Sequence, residues 1–309
     1  MPLRFLLVLG LLSWMGCKPS TAAEGKRLRV LTSIPPLYSW AANVVGDRAD
    51  LQNLLPPNVG PHDYEFRPRD LRKVQEADII FINGLGVESW LTKAIAANDP
   101  GADRKIVEVA AGIPTNTLIY ELPALHLSTT EPAELHSHVG AANPHLWLDP
   151  GFARQAVSNL LAVLQRADPI NAAAYATNAA AYQARLQALD QEFRESLEGL
   201  TRREVVTFHD AFPYLCRRYG LNLVGVIEEV PGASPSPRYL AELSQVIRGN
   251  RVSAIFVEPQ FDTKLARQLA KDLEVGVAPL DTLETGRLAP QSYEDGMRAN
   301  LKALKRALR

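Results

Sequence analysis

The sequence contains six histidines, and three of them stand in short contexts rich in Pro, Asp and aromatic residues: Gly60-Pro61-His62-Asp63-Tyr64-Glu65, Asn143-Pro144-His145-Leu146-Trp147 and Thr207-Phe208-His209-Asp210-Ala211-Phe212. Each falls at the end of an expected element. His209 directly follows a strand, His62 follows a strand by a short connection, and His145 precedes a helix. Asp281, in Ala278-Pro279-Leu280-Asp281-Thr282, also follows a strand directly. In open α/β sheets ligands bind just beyond the carboxyl ends of the strands. Three neutral imidazoles and a carboxylate would form a closed four-coordinate site suited to zinc, with bonds of about 2.0–2.2 Å, whereas catalysis wants an open position for water. Spacing alone leaves another reading open. Each loop histidine could serve as a surface or hydrogen-bonding residue, and Asp281 with Glu284 matches the Asp-x-x-Glu pattern of a helix N-cap. There is no local metal motif such as Cys-x-x-Cys or His-Glu-x-x-His.

The elements that must position these residues alternate. Strands are expected at 28–32, 51–55, 78–82 and 105–109, with helices at 35–45, 68–76 and 88–97 between them. Residues 114–144 break the pattern and read as a surface loop. A helix is expected over 151–166, and then one long helical stretch over 170–200, with no internal Pro and its only Gly at Gly199. At 1.5 Å per residue that stretch is roughly 45 Å long, wider than a small domain, so it reads as a strut. Strands at 204–208, 221–227, 252–257 and 275–279 follow, with helices at 211–219, 236–248, 262–273 and 291–308; Ser236-Pro237 supplies an N-cap and a Pro at the first helical position. The expected fold class is α/β: two lobes, each a mainly parallel sheet flanked by helices, bridged by one long rigid helix. The expected divisions are 1–25 as a signal or lipoprotein segment with linker, 26–168 as the N-terminal lobe, 169–200 as the linking helix and 201–309 as the C-terminal lobe. His62 and His145 then belong to one lobe, His209 and Asp281 to the other, and only a cleft between lobes can join them.

A chain of 309 residues can bury one large core or two ordinary ones, and its net charge of −1 gives no electrostatic reason for a nucleic-acid partner. No run of eighteen apolar residues follows the N-terminus, which excludes a multi-span membrane protein. The first residues read as an export signal: Arg4, an apolar stretch over 5–15, then Gly16-Cys17 and a polar run. Cys17 sits where a lipoprotein signal places its lipidated cysteine, although Trp14 and Met15 depart from the usual residues there; the alternative is ordinary cleavage after Ala22 or Ala23. Cys216 is the only other cysteine and reads as a small buried apolar residue.

The order of motifs resembles the substrate-binding proteins of zinc and manganese ABC importers, the ZnuA-like and TroA-like family. The matching stretches run from Val30-Leu31-Thr32-Ser33-Ile34-Pro35-Pro36 through the three histidine motifs, Asn83-Gly84 with Glu88-Ser89-Trp90-Leu91, and Ile255-Phe256-Val257-Glu258-Pro259-Gln260. The resemblance implies metal ligands at His62, His145, His209 and Asp281, with water or a Glu as alternatives at the fourth place, and a structural role for Glu65. It implies an exported, monomeric, non-enzymatic protein, periplasmic or on the cell surface, whose partners are Zn2+ (Mn2+ as the alternative) and an importer's permease and ATPase. A membrane anchor would come through a lipid on Cys17. Nitrogen-rich shells suit zinc, and manganese-type members usually carry Glu where His209 stands, so zinc is favoured. The segment holding His126, His136 and His138 resembles the His-rich loop of zinc-type members, as a weak auxiliary site or a solvated loop. Rival classes are a zinc hydrolase, with Asp63 or Glu65 as base, and a surface adhesin.

Overall fold

Strands covered on both faces read as unbroken apolar runs, and β3 (Ile79–Ile82) and β7 (Ala254–Val257) are buried at every position. A computed structural model of the chain describes residues 26–62, 64–98, 101, 103–120, 142–228, 232 and 234–309. The expected export segment with Cys17 and the histidines between 126 and 138 lie outside those residues. Two four-stranded, all-parallel sheets form the lobes. The first holds β1 (Leu28–Thr32), β2 (Ala49–Asn53), β3 and β4 (Ile106–Glu108) in the order β2-β1-β3-β4; the second holds β5 (Glu204–His209), β6 (Asn222–Glu228), β7 and β8 (Gly276–Pro279) in the order β6-β5-β7-β8. Both sheets therefore reverse their winding beside their first strand, at β1 and at β5. That is the place where open α/β sheets form ligand crevices.

The helices are α1 (Pro35–Val45), α2 (Pro68–Glu76), α3 (Ser89–Asn98), α4 (Pro150–Ala167), α5 (Ala172–Glu198), α6 (Pro213–Tyr219), α7 (Pro237–Gly249), α8 (Lys264–Asp272) and α9 (Ser292–Ala307). Proline opens α1, α2, α4, α6 and α7, where its missing N–H costs nothing. Asp149 caps α4 by accepting the Gly151 N–H at 2.7 Å, and Ser236 caps α7 by accepting the Tyr239 N–H at 3.2 Å.

The long helix is present as a 3-10 turn over Pro169–Asn171 followed by α5. It bridges the lobes, but as a half-sunken spine and not as a bare strut. Tyr175, Ala179, Tyr182, Leu186, Leu189, Phe193 and Leu197 recur every three or four residues and are all buried, and α5 packs against α1, α4, α6 and α9. One apolar core runs through both lobes, with Trp40, Trp147, Phe193, Phe256 and Tyr293 in the same cluster; a smaller core lies within the second lobe, under α7 and α8. The segment carrying His145 is tied across the divide. Trp147 Nε1 donates to the Thr282 carbonyl at 2.7 Å, Tyr293 Oη to the Trp147 carbonyl at 2.7 Å and Tyr214 Oη to the Asn143 carbonyl at 2.7 Å. Arg218 on α6 adds ion pairs to Asp149 at 3.0 Å and to Asp190 of α5 at 2.8 Å. Cys216 is buried, and burial pushes its thiol up to about 12, as expected of an inert core residue.

Candidate metal centre

His209 is the last residue of β5, at the winding reversal of the second sheet. His145 stands at the entry to a 3-10 turn, Leu146–Leu148, whose apolar residues are all buried, which fixes the direction of the histidine before it. His62 lies in the connection from β2 to α2. The loop between β8 and α9 brings Glu284 to the same point. One ligand atom from each of His62, His145, His209 and Glu284 falls within 4.8 Å of all the others. Three of these residues are deeply buried, His145 at 4%, His209 at 1% and Glu284 at 1% exposure, and the His62 side chain retains 22%.

The separations are informative. Glu284 Oε1 lies 3.4 Å from His62 Nε2 and 3.3 Å from His145 Nε2, and the Nε2 atoms of His145 and His209 are 3.3 Å apart. A regular tetrahedron with bonds of about 2.0–2.1 Å has edges of about 3.3–3.4 Å. Three of the six donor–donor separations match those edges, and all six lie within 4.8 Å, so the four donors are close enough to share one ion.

Hydrogen bonding on the far sides of the rings sets what the near sides offer. His209 Nδ1 is 2.6 Å from Glu258 Oε1, an oxygen that also accepts the His209 backbone N–H at 3.2 Å. His145 Nδ1 is 3.0 Å from Asn143 Oδ1, and the Asn143 amide is oriented by its Nδ2 donating to the Asp210 carbonyl at 2.7 Å and to Asp210 Oδ2 at 3.1 Å. Asn143 Oδ1 can only accept, so His145 carries its proton on Nδ1 and turns Nε2 inward as a lone pair; His209 does the same when Glu258 Oε1 accepts from its Nδ1. Glu284 Oε1, buried, has no hydrogen-bond donor among the described residues. Lone pairs converge here, and what satisfies converging lone pairs is a cation.

The electrostatics agree. Burial pushes His145 down to about 3 and His209 down to about 4, so both rings stay neutral. Burial pushes the Glu284 carboxyl up and hydrogen bonds from His145 and His62 pull it down; those bonds need protons on the inward nitrogens, so where the nitrogens present lone pairs it is a bound cation that holds Glu284 as an anion. Glu258 goes the other way: desolvation, then the charge of Glu284, pushes it well above a normal carboxyl.

Of the expected ligands, the three histidines are brought together and Asp281 is not among them. Its Oδ1 accepts the Leu283 N–H at 2.8 Å, closing a turn, while its backbone is gripped by Asn300. The chain leaves β8 with Asp281 still turned into its own loop, and Glu284, three residues on, reaches the site. The helix N-cap reading of Asp281 and Glu284 fails for a related reason: the next helix, α9, begins only at Ser292. Glu65 is exposed and stands outside the group. The supporting residues were not singled out in the sequence, although they lie in motifs that were. Glu258 follows β7, and Gln260 Nε2 braces it at 2.9 Å while donating to Thr282 Oγ1 at 2.8 Å. Buried Glu88, pushed up to about 7 by desolvation, accepts from Ser33 Oγ and from the N–H groups of Asn83 and Gly84; Asn83 Nδ2 in turn donates to the Pro144 carbonyl at 3.0 Å, beside His145. A buried acidic residue at a strand end was the available signal.

Comparison with known proteins gives a consistent picture. The family profile described as ZnuA, zinc-uptake complex component A periplasmic, matches residues 30–307. The high-affinity zinc uptake system protein ZnuA of Bacillus subtilis is 32% identical over 295 residues, covering 94% of this chain and 91% of that one. The zinc-binding protein AdcA of Streptococcus pyogenes is 30% identical over 92% of this chain, which spans only 56% of AdcA. Among solved structures, the SBP FpvC of Pseudomonas aeruginosa in complex with Ni2+ superposes with a TM-score of 0.78 at 29% identity, covering 92% of this chain and 97% of that one. With nearly its whole described length matched, this chain belongs to the ZnuA family of periplasmic zinc-uptake components.

Proposed function

We propose that this protein captures a divalent transition ion, zinc foremost, between its two lobes and delivers it to an ABC importer's permease and ATPase. The ligands are His62, His145, His209 and Glu284. The observation that carries this is the convergence of one donor atom from each of His62, His145, His209 and buried Glu284 within 4.8 Å, three of the separations being 3.3–3.4 Å. Three nitrogens and one oxygen suit zinc better than manganese, and the names of the relatives, zinc uptake in Bacillus subtilis and zinc binding in Streptococcus pyogenes, point the same way. Manganese remains the alternative cargo. Four protein donors close the shell, so the site holds an ion and leaves no position for activating water, which argues against the hydrolase. The export segment, with a lipid on Cys17 or ordinary cleavage, would place a monomeric protein on the outer side of the cytoplasmic membrane.

Metal-free protein should be titrated with zinc and manganese against a competing chelator. Zinc should bind far more tightly. Glu284→Ala should weaken it strongly, and Asp281→Asn, which keeps the turn-closing oxygen, should change it less than about threefold, since Asp281 stands outside the converging group and closes its own turn. Equal affinities for the two metals, or a larger loss at Asp281 than at Glu284, would overturn the assignment.

A further inference from the structure

Glu284 reaches the metal centre from a loop whose conformation needs explanation. Leu283, immediately before it, has φ of 61°, a left-handed value that costs a branched residue energy and persists only where surroundings enforce it. The enforcing surface is one face of α9. Tyr293, Gly296 and Asn300 lie at i, i+3 and i+7 on that helix, so they share a face. Asn300, 2% exposed, accepts the Asp281 N–H on Oδ1 at 2.8 Å and donates from Nδ2 to the Asp281 carbonyl at 2.7 Å, gripping the start of the loop. Tyr293 holds the other side of the centre through the Trp147 carbonyl, two residues from His145. Between them Gly296 leaves a notch. A Cβ built there would sit 2.4 Å from Leu283 Cδ2 and 3.5 Å from Cδ1 and Cγ.

Gly296 is not in a left-handed conformation, and α9 continues through it, so the helix itself does not call for glycine there. Glycine inside a helix is less favourable than alanine. The space it leaves is used by Leu283, which is only 7% exposed and belongs to the main core. A cavity of about 240 Å³ lies alongside, lined by Asp281, Leu283, Thr285, Gly286, Tyr293 and Gly296 among others, so the loop has room to shift if Leu283 leaves its seat.

Resting on Glu284 as a ligand, we propose that Gly296 and Leu283 form a latch that sets the position of the Glu284 carboxylate, making Gly296 a positioning residue for metal affinity that acts through Glu284 alone. The test is a double-mutant cycle read by zinc titration against a competing chelator. Gly296→Ala should weaken zinc binding about tenfold when Glu284 is present and less than about twofold in the Glu284→Ala background, because contacting residues couple while independent ones add. Leu283→Ala removes the wedge from the other side without touching α9 and should give the same pattern, which keeps the test valid if Gly296→Ala folds poorly; thermal unfolding of the metal-free variants monitors that. Equal losses in both backgrounds would make the effect merely structural, and no loss with Glu284 present would show that the latch does not exist; either overturns the proposal. The Glu284→Ala single variant separately tests the ligand assignment: unchanged zinc affinity there refutes that assignment, and the latch with it.

Discussion

Lowering the pH from 7.5 to 5.5 separates a buried site from three ordinary histidines. An exposed imidazole with pKa about 6.5 is roughly 90% neutral at the upper pH and 10% at the lower, so each such ligand costs about tenfold in apparent affinity and three cost about 1000-fold. In this structure burial depresses His145 to about 3 and His209 to about 4. Those two rings stay neutral across the whole interval. His62 is the ligand with the most exposed side chain, at 22%. The expected outcome is therefore a loss far short of 1000-fold, with fewer than three protons displaced per ion. Zinc titration against a chelator whose own protonation is corrected at each pH measures it. A loss approaching 1000-fold, or a slope near three, would refute both the burial and the tautomer assignments.

Other expectations follow from the same contacts. Glu258→Leu should weaken zinc binding by about 10–100-fold with the fold intact by circular dichroism, because His209 loses the acceptor that fixes its tautomer. Asn143→Leu should do the same through His145, and the Asn143→Leu/Glu258→Leu double variant should be weaker than either single one in the same titration. Arg218→Leu should cost about 3–5 kcal/mol in chemical denaturation, since it strands buried Asp149 without its cation, while Asp190 keeps Arg194.

How far the sequence reached depends on what each signal measures. Element order was legible because strands covered on both faces are continuous apolar runs and because prolines mark helix starts; 68–76 and 35–45 coincide with α2 and α1. The shared core was not legible. The apolar stripe of α5 shows that one face is buried, and nothing in it says that α1 and α9, far apart in the chain, bury that face together. The histidines could be picked out by their motif contexts and strand-end positions. The fourth ligand could not be chosen by that rule: Asp281 and Glu284 both follow β8, and the choice between them is made by Asn300, Leu283 and Gly296. Glu258 and Asn143 went unnoticed as tautomer-setting groups because their role exists only once β5, β7 and the 142–149 segment meet in space.

Zinc K-edge absorption spectroscopy on the protein loaded with one equivalent of zinc addresses the coordination sphere directly. The structure predicts four donors at about 2.0–2.1 Å, with outer-shell scattering from three imidazoles and one oxygen donor lost or altered in Glu284→Ala but kept in Asp281→Asn. A six-coordinate oxygen-rich shell, or scattering from fewer than three imidazoles, would contradict the joining of His62, His145 and His209 around a single ion.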